Sequence, residues 1–109
     1  MRALVVVIWM MMASAAHADR DLCARGTQYH GAPIDLDVKN ADVHDIYRLL
    51  SDVGRVNVVV SDRVQGKVTM KLRHVPWDQA ACTVAAVHHL TVTVQGNILL
   101  VMPQERGGG

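Results

Sequence analysis

Phenylalanine is missing from the 109 residues, and two Trp and two Tyr make up all the aromatics. So small a set cannot build a base-stacking platform for single-stranded nucleic acid. An excess of one charge is missing too: eleven basic side chains face ten acidic ones, a formal net charge of +1. That balance sets up no field toward a polyanion or an anionic membrane surface. The glycines at Gly54, Gly66 and Gly96 are isolated, so they form no phosphate-cradling loop. Cysteine is limited to Cys23 and Cys82. No apolar run reaches the roughly 20 residues needed to cross a bilayer.

What is present begins with a leader. Arg2 is followed by the apolar run from Ala3 to Met12, then by small residues closing in Ala16-His17-Ala18. A charged start, a short apolar stretch and an A-x-A site predict a secretory signal peptide over residues 1–18, cleaved after Ala18. The mature chain then loses Arg2, and its basic residues equal its ten acidic ones. Export places Cys23 and Cys82 in an oxidising compartment, where a single disulfide between them is the default reading. The alternative is a small buried Cys82 and a free or intermolecular Cys23. A lipid anchor on Cys23 is disfavoured by Leu22, because a lipobox wants a small residue before the cysteine.

Residues 19–33 are polar, hold Gly26, Gly31 and Pro33, and show no period, which predicts a flexible arm. From there, Ile34, Leu36 and Val38 alternate with Asp35, Asp37 and Lys39, the mark of a half-buried strand. Asp42 stands at a helix N-cap, Val43, Ile46, Tyr47, Leu49, Leu50 and Val53 follow at helical spacing, and Gly54 sits at a C-cap position. The β-branched run from Val56 to Val60 predicts a buried strand, and Val68, Met70 and Leu72 mark a half-exposed one. Pro76 suits a first helical position. Trp77, Ala80, Ala81, Val84, Ala85, Val87 and His88 lay a stripe along a second helix ending near His89. The stretches 91–94 and 98–101 flank the turn signal Gln95-Gly96-Asn97. The order β-α-β-β-α-β-β predicts an α+β domain over residues 34–103, with a disordered tail over residues 104–109.

No set of residues composes an active site, so the chain is read as non-enzymatic, without cofactor, metal or small-molecule substrate. Adjacent His88 and His89 point about 100° apart on a helix and cannot converge on one ion. His44 and His74 stand on different elements. Ser51 and Ser61 lie in no G-x-S-x-G elbow. Asp35 and Asp37 share the solvent face of a strand, as a solvated pair does.

Several motifs in order carry a resemblance. Tyr29-x-Gly31-x-Pro33-Ile34 is followed by Ala41-Asp42-Val43, then Val64-x-Gly66-x-Val68-Thr69, then Val75-Pro76-Trp77-Asp78-Gln79-Ala80, and last Gly96-Asn97-Ile98. This pattern resembles the secretin and TonB short N-terminal domain, the N0 module of secretins, and is closest to that of type IV pilus secretins. The resemblance implies two helices held between a two-stranded and a three-stranded sheet. It further implies a periplasmic module that docks an envelope protein: a secretin, an inner-membrane secretion or pilus component, or a sigma regulator. Two departures carry expectations of their own: Ala81 stands where Leu is usual, predicting a thinner core, and His89 stands where Gly is usual, predicting strain at the helix end. The chain carries no pore-forming barrel, so it is not expected to conduct anything itself. An unpartnered remnant of a split gene, or a small periplasmic metal-binding protein or enzyme, are the other readings. The expected docking surface is the first strand, Ile34, Asp35, Leu36, Asp37 and Val38, where an open sheet edge would accept a partner strand. Its alternative is an edge covered by the arm.

Overall fold

The computed structural model describes residues 20–104. The expected leader, with its cleavage site after Ala18, and the tail beyond Gln104 lie outside the described residues. The elements run β1 (Arg20–Asp21), β2 (Pro33–Asp42), α1 (Val43–Gly54), β3 (Asn57–Val60), β4 (Lys67–Pro76), α2 (Trp77–His88), β5 (Leu90–Gln95) and β6 (Ile98–Pro103). They form two sheets, β2-β4 and β1-β5-β6-β3. The helices touch each other; α1 packs on β2 and β3, and α2 on β4 and β5, so the α+β fold is the expected one.

Helix α1 starts where Asp42 accepts the His44 N–H at 2.8 Å, satisfying one of the free donors of the first turn. Val43, Ile46, Tyr47 and Leu50 are its buried stripe, at the i, i+3, i+4, i+7 spacing of one helix face. Leu49 and Val53, expected in that stripe, fall outside it at 41% and 38% exposed. Gly54 is the last helical residue, and Arg55 takes the left-handed cap at φ 54°. The missing side chain at Gly54 serves a different need, described below. On α2, Pro76 is the N-cap rather than the first helical residue, and Val87 is 57% exposed, off the apolar stripe. His89 adopts φ 55° and donates its N–H to the Ala85 carbonyl, so the left-handed ending is kept without glycine. The thinner core expected at Ala81 is met by Tyr47: Ala80 and Ala81 are wholly buried, and the Tyr47 hydroxyl donates to the Ala81 carbonyl at 2.8 Å. Burial pushes the Tyr47 ionisation upward, because the phenolate would lose its hydration.

Three strand expectations change. β3 pairs in parallel with β6 and, among the described residues, ends its sheet; α1 packs on it, and its side chains alternate, so Asn57 and Val59 face outward and Val59 is 50% exposed instead of buried. β2 and β4 each run ten residues, longer than their alternating cores. The first residues of the expected arm are not loose. Arg20 and Asp21 pair antiparallel with Val94 and Thr93, and the Leu22 N–H donates to the Val92 carbonyl at 2.9 Å. Leu22 itself is buried in the core, which supplies the fixing force that a polar composition hid. Cys23 is bonded to Cys82 with Cα atoms 5.4 Å apart across a separation of 59 residues. Closing a loop of that length stabilises by about 4 kcal/mol in the chain-entropy model.

Candidate docking site

Among the described residues β2 pairs on one side, with β4, in the register Ile34↔Val75, Leu36↔Leu72, Asp37↔Lys71 and Val38↔Met70. Its alternation holds: Leu36 is buried, Ile34 and Val38 are half-buried, and Asp35 and Asp37 face solvent, with Lys71 directly across from Asp37. The described part of the arm goes to β5 rather than to β2, so among the described residues no strand pairs with the second side of Ile34 to Val38. Register shifts fall between Ile34 and Leu36 and between Val38 and Ala41. A bulge leaves a backbone donor without its ladder partner, and here side chains take over. Asp35 Oδ1 accepts the N–H of His74, at φ 57°, over 2.7 Å, and Thr69 Oγ1 accepts the N–H of Asn40, also at φ 57°, over 2.9 Å. These crutches keep a long two-stranded ribbon in a single shape.

The motif residues build the corners that aim this ribbon. Asp78, 8% exposed, accepts the His30 N–H at 3.1 Å, the Gly31 N–H at 3.2 and 3.3 Å and the Gln79 N–H at 3.1 Å. A carboxylate in the first turn of a helix is favoured by the helix dipole as well. The Trp77 N–H donates to the Ala32 carbonyl at 3.1 Å, next to the Pro33↔Pro76 pair that opens the ribbon. The Trp77 ring lies between two glycines. A β-carbon on Gly31 would fall 2.5 Å from Trp77 Cδ1, and one on Gly54 would fall 2.5 Å from Trp77 Cε2. Glycine is required at both for closeness, not for torsional freedom.

At the far end of the ribbon the loop through Val64 and Gly66 is held from both helices. His44 Nε2 donates to the Val64 carbonyl at 2.7 Å, and His88 Nε2 donates to the Lys67 carbonyl at 3.0 Å. Carbonyls only accept, so both rings carry a proton on Nε2. The Val43 N–H donates to the Gly66 carbonyl at 3.0 Å, and Val64 and Val68 are buried beneath the loop. Gly96 and Asn97 lie elsewhere, in the β5–β6 turn, where Gly96 takes φ 59° and the Asn97 carbonyl accepts the Asn57 N–H at 3.1 Å.

The structure thus gathers Val75, Pro76, Trp77, Asp78 and Gln79 with the start of β2, sets Val64, Gly66, Val68 and Thr69 beside its end, and leaves Gly96 and Asn97 on the other sheet. They are scaffold corners rather than one reacting constellation. Ser51 and Ser61 are used locally: Ser51 Oγ donates to the Arg48 carbonyl, and Ser61 Oγ accepts the Arg63 N–H. Sequence reasoning missed the clamp from Asp78 to His30 and Gly31. Its signal was two motifs, Tyr29-x-Gly31 and Trp77-Asp78, each holding a residue that its own turn does not need. Among the described residues no helix is long and apolar enough to cross a membrane.

No family model matches the chain. It is 39% identical over 77 residues to the fimbrial assembly protein PilQ of Pseudomonas aeruginosa, covering 71% of this chain and 11% of that one. It is 36% identical over 77 residues to the type IV pilus biogenesis and competence protein PilQ of Neisseria meningitidis, covering 71% of this chain and 10% of that one. The chain therefore spans about a tenth of the length of these curated relatives. In fold it is similar to the N0 domain of the type II secretin from enterotoxigenic Escherichia coli, with TM-score 0.60 at 15% identity, over 67% of this chain and 96% of that one. It is similar as well to the Type IV competence pilus secretin PilQ of V. cholerae, with TM-score 0.56 at 34% identity, over 62% of this chain and 16% of that one.

Proposed function

From a domain that matches the N-terminal module of type IV pilus secretins in sequence and in fold, we propose that the chain is a non-enzymatic docking module of the periplasm. It is exported by its leader and takes up a component of a pilus or secretion system along the free side of β2, from Ile34 to Val38. The observation that carries this reading is the one-sided pairing of a ten-residue strand. Unpaired backbone along such an edge binds an extended segment by main-chain hydrogen bonds, and side chains on alternate faces select among segments. Asp35 and Asp37 would favour a partner strand with basic side chains on the solvent face. The shape of the edge is held before binding by the Asp35–His74 and Thr69–Asn40 bonds, which lowers the ordering cost of association.

The test uses a photo-crosslinking residue at Asp37, with the same residue at Asn97 on the opposite sheet as control, in cells that make the protein. The expected result is a covalent adduct with a pilus or secretion component from Asp37 and none from Asn97. Asp35→Pro should abolish that adduct while the helical circular dichroism signal stays unchanged. Equal adducts from both positions, or capture that survives Asp35→Pro, would place the contact elsewhere.

A further inference from the structure

Without β1 the larger sheet would be β5-β6-β3, and β5 would be its open edge. The chain covers that edge with its own residues. Arg20 and Asp21 lie opposite Val94 and Thr93, and Leu22 bonds to Val92, so the added strand spans the middle of β5. A strand of two exposed residues has little to hold it by itself. Two things do: the buried Leu22 side chain and, immediately after it, the bond from Cys23 to Cys82 on α2. The next long-range polar tie along the chain is separate from the cysteines. It is the Asp78 carboxylate holding the His30 and Gly31 N–H groups. Between the two ties, residues 24–27 make a local turn in which the Thr27 N–H and hydroxyl both meet the Ala24 carbonyl.

We propose that the Cys23–Cys82 disulfide is a redox latch on the β5 edge: closed, it holds residues 20–22 as an added strand; opened, it frees the chain back to the Asp78 clamp and bares residues 92–94. Both cysteines line a surface groove of about 490 Å³, together with Asp21, Tyr29, Gln79, Thr83 and His89; Cys23 is half-buried and Cys82 9% exposed, so a small dithiol in the groove approaches the bond from the Cys23 side. In the opening step one thiolate of the dithiol attacks a cysteine sulfur, breaking the bond and forming a mixed disulfide. Its second thiol then displaces the protein sulfur. The reductant leaves as its own disulfide, two electrons have passed to the protein, and Cys23 and Cys82 each take up a proton. Oxidation by a disulfide-bearing partner runs the same exchange in reverse and closes the latch.

Amide hydrogen exchange on the full chain, oxidised and after dithiothreitol, tests this, with thiol alkylation confirming that the bond has opened. Protection of the Leu22 amide should be lost, to the rate of an unstructured chain, and the Val94 amide should speed up with it. The amides of Gly31, Leu50 and Val101 should keep their protection, because the clamp and the core do not depend on the bond. Cys23→Ser should give the same map under oxidising conditions. A Leu22 amide still protected after reduction overturns the latch, as does a bond that dithiothreitol cannot open in the folded protein. Loss spreading through Gly31 and Val101 overturns it too, since the disulfide would then be a staple of the whole domain.

Discussion

Gly54→Ala is expected to destabilise the domain, against the usual rule for a glycine within a helix. Replacing a helical glycine by alanine ordinarily stabilises by about 1 kcal/mol. Here the added β-carbon would sit 2.5 Å from Trp77 Cε2, 2.6 Å from Cζ2 and 2.8 Å from Cδ2. Carbon pairs at rest lie about 3.5–4.0 Å apart, so the ring must move by roughly 1 Å. Its room to shift is small, because Gly31 also packs closely on the pyrrole part of the ring, where a β-carbon would itself fall 2.6 Å from Trp77 Nε1. Overpacking of this kind costs about 1–3 kcal/mol. Set against the propensity gain, the net expectation is a loss of about 0–2 kcal/mol, centred near 1, or a fall in Tm of several degrees, at roughly 4–8 °C per kcal/mol for a domain this small. Urea denaturation of the oxidised protein measures it. The cause is isolated by a double-mutant cycle: in a Trp77→Leu background, Gly54→Ala should be neutral or stabilising, with a coupling of about 1 kcal/mol or more. A Gly54→Ala protein more stable than the parent, with Trp77 in place, would refute the steric argument.

Tyr47→Phe should cost about 1–2 kcal/mol, the worth of a buried hydroxyl bond whose carbonyl acceptor at Ala81 stays behind. It should also change the alkaline limb: the folded Tyr47 ionises above its unfolded value near 10, so its share of stability is intact below about pH 10 and is lost as pH rises beyond it. Denaturation midpoints from pH 8 to 11 should fall less steeply in the Phe variant, and an identical slope would contradict the burial of the phenol. Asp78→Asn should weaken the domain by about 1–3 kcal/mol, because charge-assisted N–H bonds from His30, Gly31 and Gln79 are lost or weakened together. Exchange at the Gly31 amide should quicken in that variant while Leu22 stays protected by the intact disulfide; an unchanged Gly31 amide would remove the clamp.

Order and type of the main elements were legible because period and position agreed. The alternation from Ile34 to Val38 and the spacing Val43, Ile46, Tyr47, Leu50 report which face is buried, whatever lies on the other side. The pairing of Cys23 with Cys82 followed from there being no other candidates. What escaped depends on contacts far apart in sequence. Gly54 reads as a helix ending, since a glycine looks the same whether it supplies torsional freedom or room for an indole. The arm reads as loose because one buried residue, Leu22, leaves no period. The valines Val58–Val60 of β3 read as buried on both faces, yet Val59 faces outward because alternate residues of a strand point to opposite faces and only the other face meets the core. In β2 the alternation was legible and the bulges were not, since a shifted register is visible in the partner strand's hydrogen bonds and not in the strand's own side chains.

The place of β6 has a consequence for the order in which the domain is assembled. It lies between β5 and β3, antiparallel to the first and parallel to the second, and those two share no bond with each other. Asn57 must wait for Ile98, and Val60 for Val101, before either has a neighbour. Long-range pairings of this kind are reached slowly, because the loop must close before any contact rewards it. While the chain is being made, or threaded end first through a narrow passage, β2, α1 and β4 can associate early, but the larger sheet stays open until residues 98–103 have emerged. A chain cut before Ile98 would keep both helices and the β2-β4 ribbon in its sequence and still lack the strand that joins β5 to β3.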